Sequence, residues 1–190
     1  MTSKTSFSYA GIGSRETPLA TLSEMVTVAA ELAGRNWMLR SGNAEGADSA
    51  FLEGTKAVNG PREIYVPWNG YEGAYHGVDG VFNAMDLPNW GTANAMAIKM
   101  HPAWTKCSRG VQLMHTRNTY QILGQDLKSP VNCVIAWTKG GKATGGTGQA
   151  IRLAEYLEIP VFNLFNLGAL DALGEFVYQT ETAALVRDQS

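Results

Sequence analysis

The chain has 190 residues, 45% of them hydrophobic and 17% charged; that apolar share excludes a disordered chain, and the length suits one ordinary domain over 1–190. Lys and Arg number 15 against 17 Asp and Glu, a formal charge of −2, so the basic excess of a dedicated duplex-DNA binder is missing. Two cysteines, Cys107 and Cys133, make no disulfide framework, and no run approaches the roughly 20 apolar residues of a membrane span.

In chain order, the β-like run Phe7–Ile12 ends in Gly11-Ile12-Gly13-Ser14-Arg15. Pro18 opens a helix over Leu19–Arg35, where Leu22, Met25, Val26, Ala29, Ala30 and Ala33 recur at helical spacing. Trp37–Arg40 reads as a strand stopped by Ser41-Gly42-Asn43-Ala44-Glu45-Gly46. A helix over Ala47–Val58 ends at Asn59-Gly60, and Glu63–Trp68 is a third strand. Residues 69–108 break the rhythm. They are rich in Gly, Asn and aromatics, with Tyr71, Tyr75, Phe82, Trp90 and Trp104. Such an insertion is either a lid or binding loop, or an excursion against the sheet edge or a second subunit. Arg109–Gly124 reads as a helix and Val131–Trp137 as an almost wholly apolar strand, with Cys133 a small buried hydrophobe inside it. Gly148–Leu157 is a helix, Val161–Leu164 a fifth strand and Leu167–Val177 a final helix.

Strands alternating with helices predict an α/β fold: a doubly wound, Rossmann-like, mainly parallel sheet with right-handed crossovers. The N-terminal MTSKTSFSYAGIG lacks a signal-peptide pattern, and a cytoplasmic protein is expected.

Three glycine-rich turns fall where strands pass into helices. The first holds Gly11, Gly13, Ser14 and Arg15. The second holds Ser41, Gly42, Asn43, Ala44, Gly46 and Asp48. The third holds Thr144, Gly145, Gly146, Thr147 and Gly148. In a parallel sheet all three lie at the carboxyl edge, where helix N-termini direct unpaired N–H groups and positive dipole ends at one crevice. Glycine permits close approach of an anion, and the hydroxyls add donors. Binding of phosphate or nucleotide follows, with plain tight turns as the alternative. Standard signatures are absent: Glu16 stands where a dinucleotide motif has its third glycine, and no Walker lysine follows any loop in frame.

Ser41-Gly42-Asn43-Ala44-Glu45-Gly46-Ala47-Asp48-Ser49-Ala50 resembles the S-G-G-A-x-G-A-D-x-A loop of the DprA/Smf Rossmann domain, with Asn43 in place of a glycine. Residues 145–154, Gly-Gly-Thr-Gly-Gln-Ala-Ile-Arg-Leu-Ala, followed by Ile159-Pro160-Val161, are similar to a segment of YspA-like proteins. Both groups belong to the SLOG superfamily, which also holds the lonely-guy phosphoribohydrolases. Met114-His115-Thr116-Arg117-Asn118 is similar to the M-x-x-R-K helix of that last family. The resemblance implies that Arg117 and Asn118 attend the ribose or phosphate of a nucleotide, and that the protein forms a homo-oligomer. The low charged fraction agrees with such an assembly. The same resemblance sets Arg152 where the hydrolases carry a catalytic Glu. Arginine supplies neither base nor anion, so Glu45, Asp48 and Arg117 are the remaining, weak catalytic candidates.

Arg15 either clamps phosphate or caps a neighbouring helix end, and Asp48 either meets a ribose hydroxyl or serves its own helix N-terminus. His76, His101 and His115 show no metal-ligand spacing among themselves or with Cys107, so no metal is expected, nor any cofactor. The expected ligand is a nucleotide or nucleotide-derived small molecule. The alternatives are a nucleotide N-glycosidase and a DprA-like single-stranded DNA binder, the latter disfavoured because Lys and Arg are scattered.

Overall fold

The computed structural model describes residues 7–188. Six parallel strands form one sheet: β1 (Ser8–Gly13), β2 (Met38–Ser41), β3 (Arg62–Val66), β4 (Val81–Asn83), β5 (Cys133–Trp137) and β6 (Val161–Asn163). Their order is β4-β3-β2-β1-β5-β6. The helices are α1 (Leu19–Gly34), α2 (Ala47–Ala57), α3 (Trp90–Met100), α4 (Arg109–Leu123), α5 (Gly145–Tyr156) and α6 (Ala169–Asp188).

The two-residue period of the strands sorts side chains into two cores. On one face Tyr9, Cys133 and Ile135 pack with Met25 and Leu32 of α1, Phe51 of α2 and Leu173 and Val177 of α6. On the other, Ala10, Ile12, Val134 and Ala136 pack with Ala93 of α3, Tyr120 and Ile122 of α4, and Ile151 and Ala154 of α5. β5 is therefore apolar along its whole length because both its faces are covered.

The segment 69–108 is more regular than its composition suggests. Residues 81–83 form β4, which pairs in parallel with β3 at the sheet edge, and residues 90–100 form α3, joined to α4 through a turn at Trp104–Lys106. Part of the segment thus packs at the sheet edge, while Tyr71, His101, Pro102 and Cys107 from the same segment line the cleft described below. Three strand residues are too few to show a period, and α3 buries only Ala93 and Ala97, so neither element stands out in the chain. α5 starts at Gly145, three residues before the expected position, and α6 runs to Asp188.

Candidate functional site

The strand order reverses between β1 and β5, which are parallel neighbours joined across 119 residues of intervening chain. Crossovers leave in opposite directions there, so a crevice opens outside the two carboxyl ends. A cleft of about 910 Å³ occupies this position, within the range of small-molecule sites. The turn after β1, the start of α2, the loop after β5, the start of α5 and one side of α4 wall it.

Gly13, Ser14, Arg15, Ala44, Asp48, Arg117, Asn118, Thr144, Gly145, Gly146 and Thr147 all line this cleft. The remaining candidates lie behind or beside it. Gly11 is inside β1 against Phe51 and Leu39. Ser41 donates its hydroxyl to the Gly11 carbonyl at 2.6 Å, fastening β2 to β1. Gly42 packs against the Arg117 guanidinium and Gly46 against the Ser14 and Arg15 backbone. Asn43, at φ 60°, donates from Nδ2 to the Glu72 carbonyl at 3.3 Å. Gly148 sits on the Ala143 carbonyl. Glu45 is exposed outside the cleft wall.

Neither α2 nor α5 has a side-chain cap at its start. First-turn amides have no intrahelical acceptor, so both N-termini direct positive dipole ends at the cleft, although the Ser49 amide of α2 already donates to the Ala44 carbonyl at 3.1 Å. Close approach is built in at Gly13, where a Cβ would stand 2.5 Å from Ala47 Cβ and 3.1 Å from the Trp137 carbonyl. That contact brings the start of α2 against the turn after β1.

Arg117 projects from α4 and is only 4% exposed. Its Nη1 donates to the Tyr65 carbonyl at 3.1 Å and lies 3.8 Å from Asp48 Oδ2. Its Nε is buried with no partner among the described residues. Asp48 is equally enclosed, at 5% exposure. Burial pushes its carboxyl up to about 6, while the Arg117 charge and the amides of Ala44, Gly13 and Gly42 pull it back. Burial likewise lowers Arg117, against the favourable Asp48 charge. Asn118 Nδ2 donates to the Gly146 carbonyl at 3.1 Å and so ties α4 to the start of α5.

Arg15 and Lys139 add exposed cations at the mouth, and Arg152 stands in the wall. Arg152 donates to the carbonyls of Met100 and Ala143 at 2.8 and 2.7 Å, bracing the loop before α5. The cleft thus gathers Arg15, Arg117, Lys139 and Arg152 against Glu16 and Asp48, although the chain as a whole is acidic. Tyr71, Val111 and Met114 supply apolar wall.

Sequence spacing missed one further cluster. His101, Cys107 and His115 also line the cleft, and one ligand atom from each lies within 4.8 Å of the others. The sequence shows no metal-ligand spacing among these residues, yet the fold brings the three together. The turn between α3 and α4 doubles the chain back, so the residue that ends α3 meets the middle of α4. Only the sequence order His101-x5-Cys107-x7-His115 could have hinted at it, and that spacing matches no common ligand motif. Burial pushes the His115 imidazole down to about 4, with His101, Arg152 and Arg117 adding in the same direction. His101 is lowered by burial and by Arg152.

The sheet order and the cleft at its reversal define a Rossmann-like α/β protein. No family model and no curated protein matches the chain. Among solved structures, it is similar to DNA processing protein A from Helicobacter pylori, which binds single-stranded DNA: 16% identity over 83% of this chain, TM-score 0.48. This chain spans 64% of the length of that one. It is also similar to the molybdenum cofactor carrier protein of Chlamydomonas reinhardtii, with 12% identity over 92% of this chain and 99% of that one, TM-score 0.40. Neither likeness decides a ligand. No described helix is long and apolar enough to cross a membrane.

Proposed function

We propose that the chain is one SLOG-type domain that binds a nucleotide or nucleotide-derived small molecule, with phosphate at the starts of α2 and α5. One observation carries this reading: two uncapped helix N-termini face the same cleft, over a buried arginine with an unpartnered Nε. Backbone N–H groups and dipole ends suit phosphate. Arg117 adds a charge-assisted donor, and Tyr71, Val111 and Met114 offer apolar surface to a base. Isothermal calorimetry with AMP and ADP-ribose tests it. Arg117→Ala should weaken binding about 10- to 150-fold, the equivalent of losing a charged hydrogen bond of about 1.5–3 kcal/mol. Absence of binding at millimolar concentration by every nucleotide tried would refute it.

Asp48 favours a second reading, cleavage of the N-glycosidic bond, because a cleft carboxyl near 6 is poised for proton transfer. Against it, Asp48 already faces Arg117 and three backbone amides, and Arg152 holds two carbonyls where the resemblance has a catalytic Glu. Binding without turnover is the reading we favour, since the two are separable quantities. Rapid release of free base, lost in Asp48→Asn, would reverse that order. The apolar side chains Tyr178, Leu185 and Val186, each more than 60% exposed on α6, support a homo-oligomer.

A further inference from the structure

We propose that His101, Cys107 and His115 form a three-ligand site for a thiophilic divalent transition metal, zinc being the type, with its fourth position open to the cleft. The inference is independent of the nucleotide reading and needs no nucleotide for its test.

Cys107 Sγ lies 3.9 and 3.8 Å from Nδ1 and Nε2 of His101. Tetrahedral zinc, with bonds of about 2.3 Å to sulfur and about 2.05 Å to nitrogen, sets these atoms about 3.6 Å apart. The two imidazoles are already gathered, with ring centroids 4.4 Å apart. A second observation points to a missing partner: His115 is 4% exposed, yet its Nδ1 makes no hydrogen bond among the described residues. A buried, unsatisfied imidazole nitrogen is costly unless something binds it.

The three ligands come from the end of α3, the connecting turn and α4, so metal would also clamp this hairpin. The turn is pinned independently: Gln112 Nε2 donates to the Trp104 and Cys107 carbonyls at 3.4 and 3.3 Å. Such outer contacts orient the ligands themselves. Two imidazole nitrogens and one thiolate together suit zinc or cobalt over magnesium or calcium. Three protein ligands with one open position is the arrangement of reactive rather than purely structural zinc sites.

Binding requires two local changes. Cys107 loses its thiol proton to solvent, so one proton leaves for each metal bound. His101 Nδ1 accepts a hydrogen bond from the Ala103 amide at 3.2 Å, and either choice of ligand nitrogen gives this bond up. Arg152, whose charge acts on both imidazoles, is already held by two carbonyls; the thiolate charge offsets it.

The test is a cobalt titration of the full chain after chelator treatment. The expected result is thiolate-to-cobalt charge-transfer absorption that saturates at one equivalent and is abolished by one equivalent of zinc. Cys107→Ser should remove that absorption. His101→Ala and His115→Gln should each weaken cobalt binding by about tenfold or more, while His76→Ala leaves it unchanged. Should a variant fail to fold, the wild-type chain still decides: zinc should slow alkylation of Cys107, because the coordinated thiolate is no longer a free nucleophile. No charge-transfer absorption at one equivalent, absorption that survives Cys107→Ser, or alkylation indifferent to zinc would each overturn the proposal.

Discussion

Gly42 lies outside the cleft wall, yet one methyl group there should disable the cleft floor. A Cβ built on Gly42 would overlap Arg117 Nη1 and stand 2.6 Å from Asp48 Oδ2. The Gly42 backbone does not need left-handed geometry, so the effect is purely one of space. The guanidinium is the most flexible part of the contact and must give way. Moving it breaks the 3.1 Å bond to the Tyr65 carbonyl, a charged hydrogen bond worth about 1.5–3 kcal/mol. It also lengthens the 3.8 Å approach to Asp48. That second loss is capped, because a carboxyl already near 6 takes up a proton at pH 7 for about 1.4 kcal/mol. The expected destabilisation of Gly42→Ala is therefore about 2–4 kcal/mol, a fall in melting temperature of roughly 5–15 °C for a chain this long. Differential scanning calorimetry measures it, with nucleotide affinity measured in parallel. Gly34→Ala is the control, since a Cβ there meets nothing within 4 Å. A Gly42→Ala protein that melts and binds like the wild type would refute the placement of Arg117 under this loop.

The Asp48 carboxyl makes stability depend on pH in a direction opposite to most acidic groups. Its folded value, about 6, lies above the usual 3.8, so the folded state binds the proton more tightly. The penalty is fully present above pH 6 and is relieved as the pH falls towards 4, by about 3 kcal/mol at most. Wild type should gain that much relative to Asp48→Asn between pH 7 and pH 4 in urea unfolding; parallel pH profiles would contradict it. On the sheet face that carries α1, α2 and α6, Glu181 accepts from Trp37 Nε1 at 2.9 Å and Arg35 at 3.0 Å. Glu181→Ala strands the Trp37 donor and should cost about 1–3 kcal/mol by chemical denaturation. Light scattering at tens of micromolar should return a mass above 20.5 kDa; a monomer would remove α6 as an assembly surface.

The sheet and its three glycine turns were legible because each strand, turn and helix follows the next within a few residues. Gly13, Asp48 and Gly145 each stand beside the strand or helix that places them, and parallel topology alone then sends them to one edge. Arg117 is different. Within α4 it looks like any polar helix residue, and only the resemblance singled it out; its burial arises from Gly42 and Asp48, over sixty residues away in the chain. β4 and α3 were hidden for a local reason, since Val81-Phe82-Asn83 is short and Ala93 and Ala97 carry little hydrophobic contrast. The meeting of His101, Cys107 and His115 depends on the α3–α4 reversal and has no linear signature. The start of α5 is obscured in the sequence because Gly145 and Gly146 are poor helix formers, although a helix N-terminus tolerates them.

The position of β1 has a consequence for how the molecule is made. It precedes the sheet's other five strands in the chain, and it ends up in the interior, between β2 and β5. Its β2 neighbour arrives about thirty residues later, but Tyr9 must wait for Cys133 to complete its other edge. During synthesis the half-sheet of β1 to β4 therefore carries an open hydrogen-bonding edge until β5, which follows the end of β1 after 119 intervening residues, has emerged. An unpaired edge is a template for pairing with another chain. Closure by β5 covers that edge of β1, and the loop after β5 and the start of α5, which follow at once in the chain, add the second wall of the cleft.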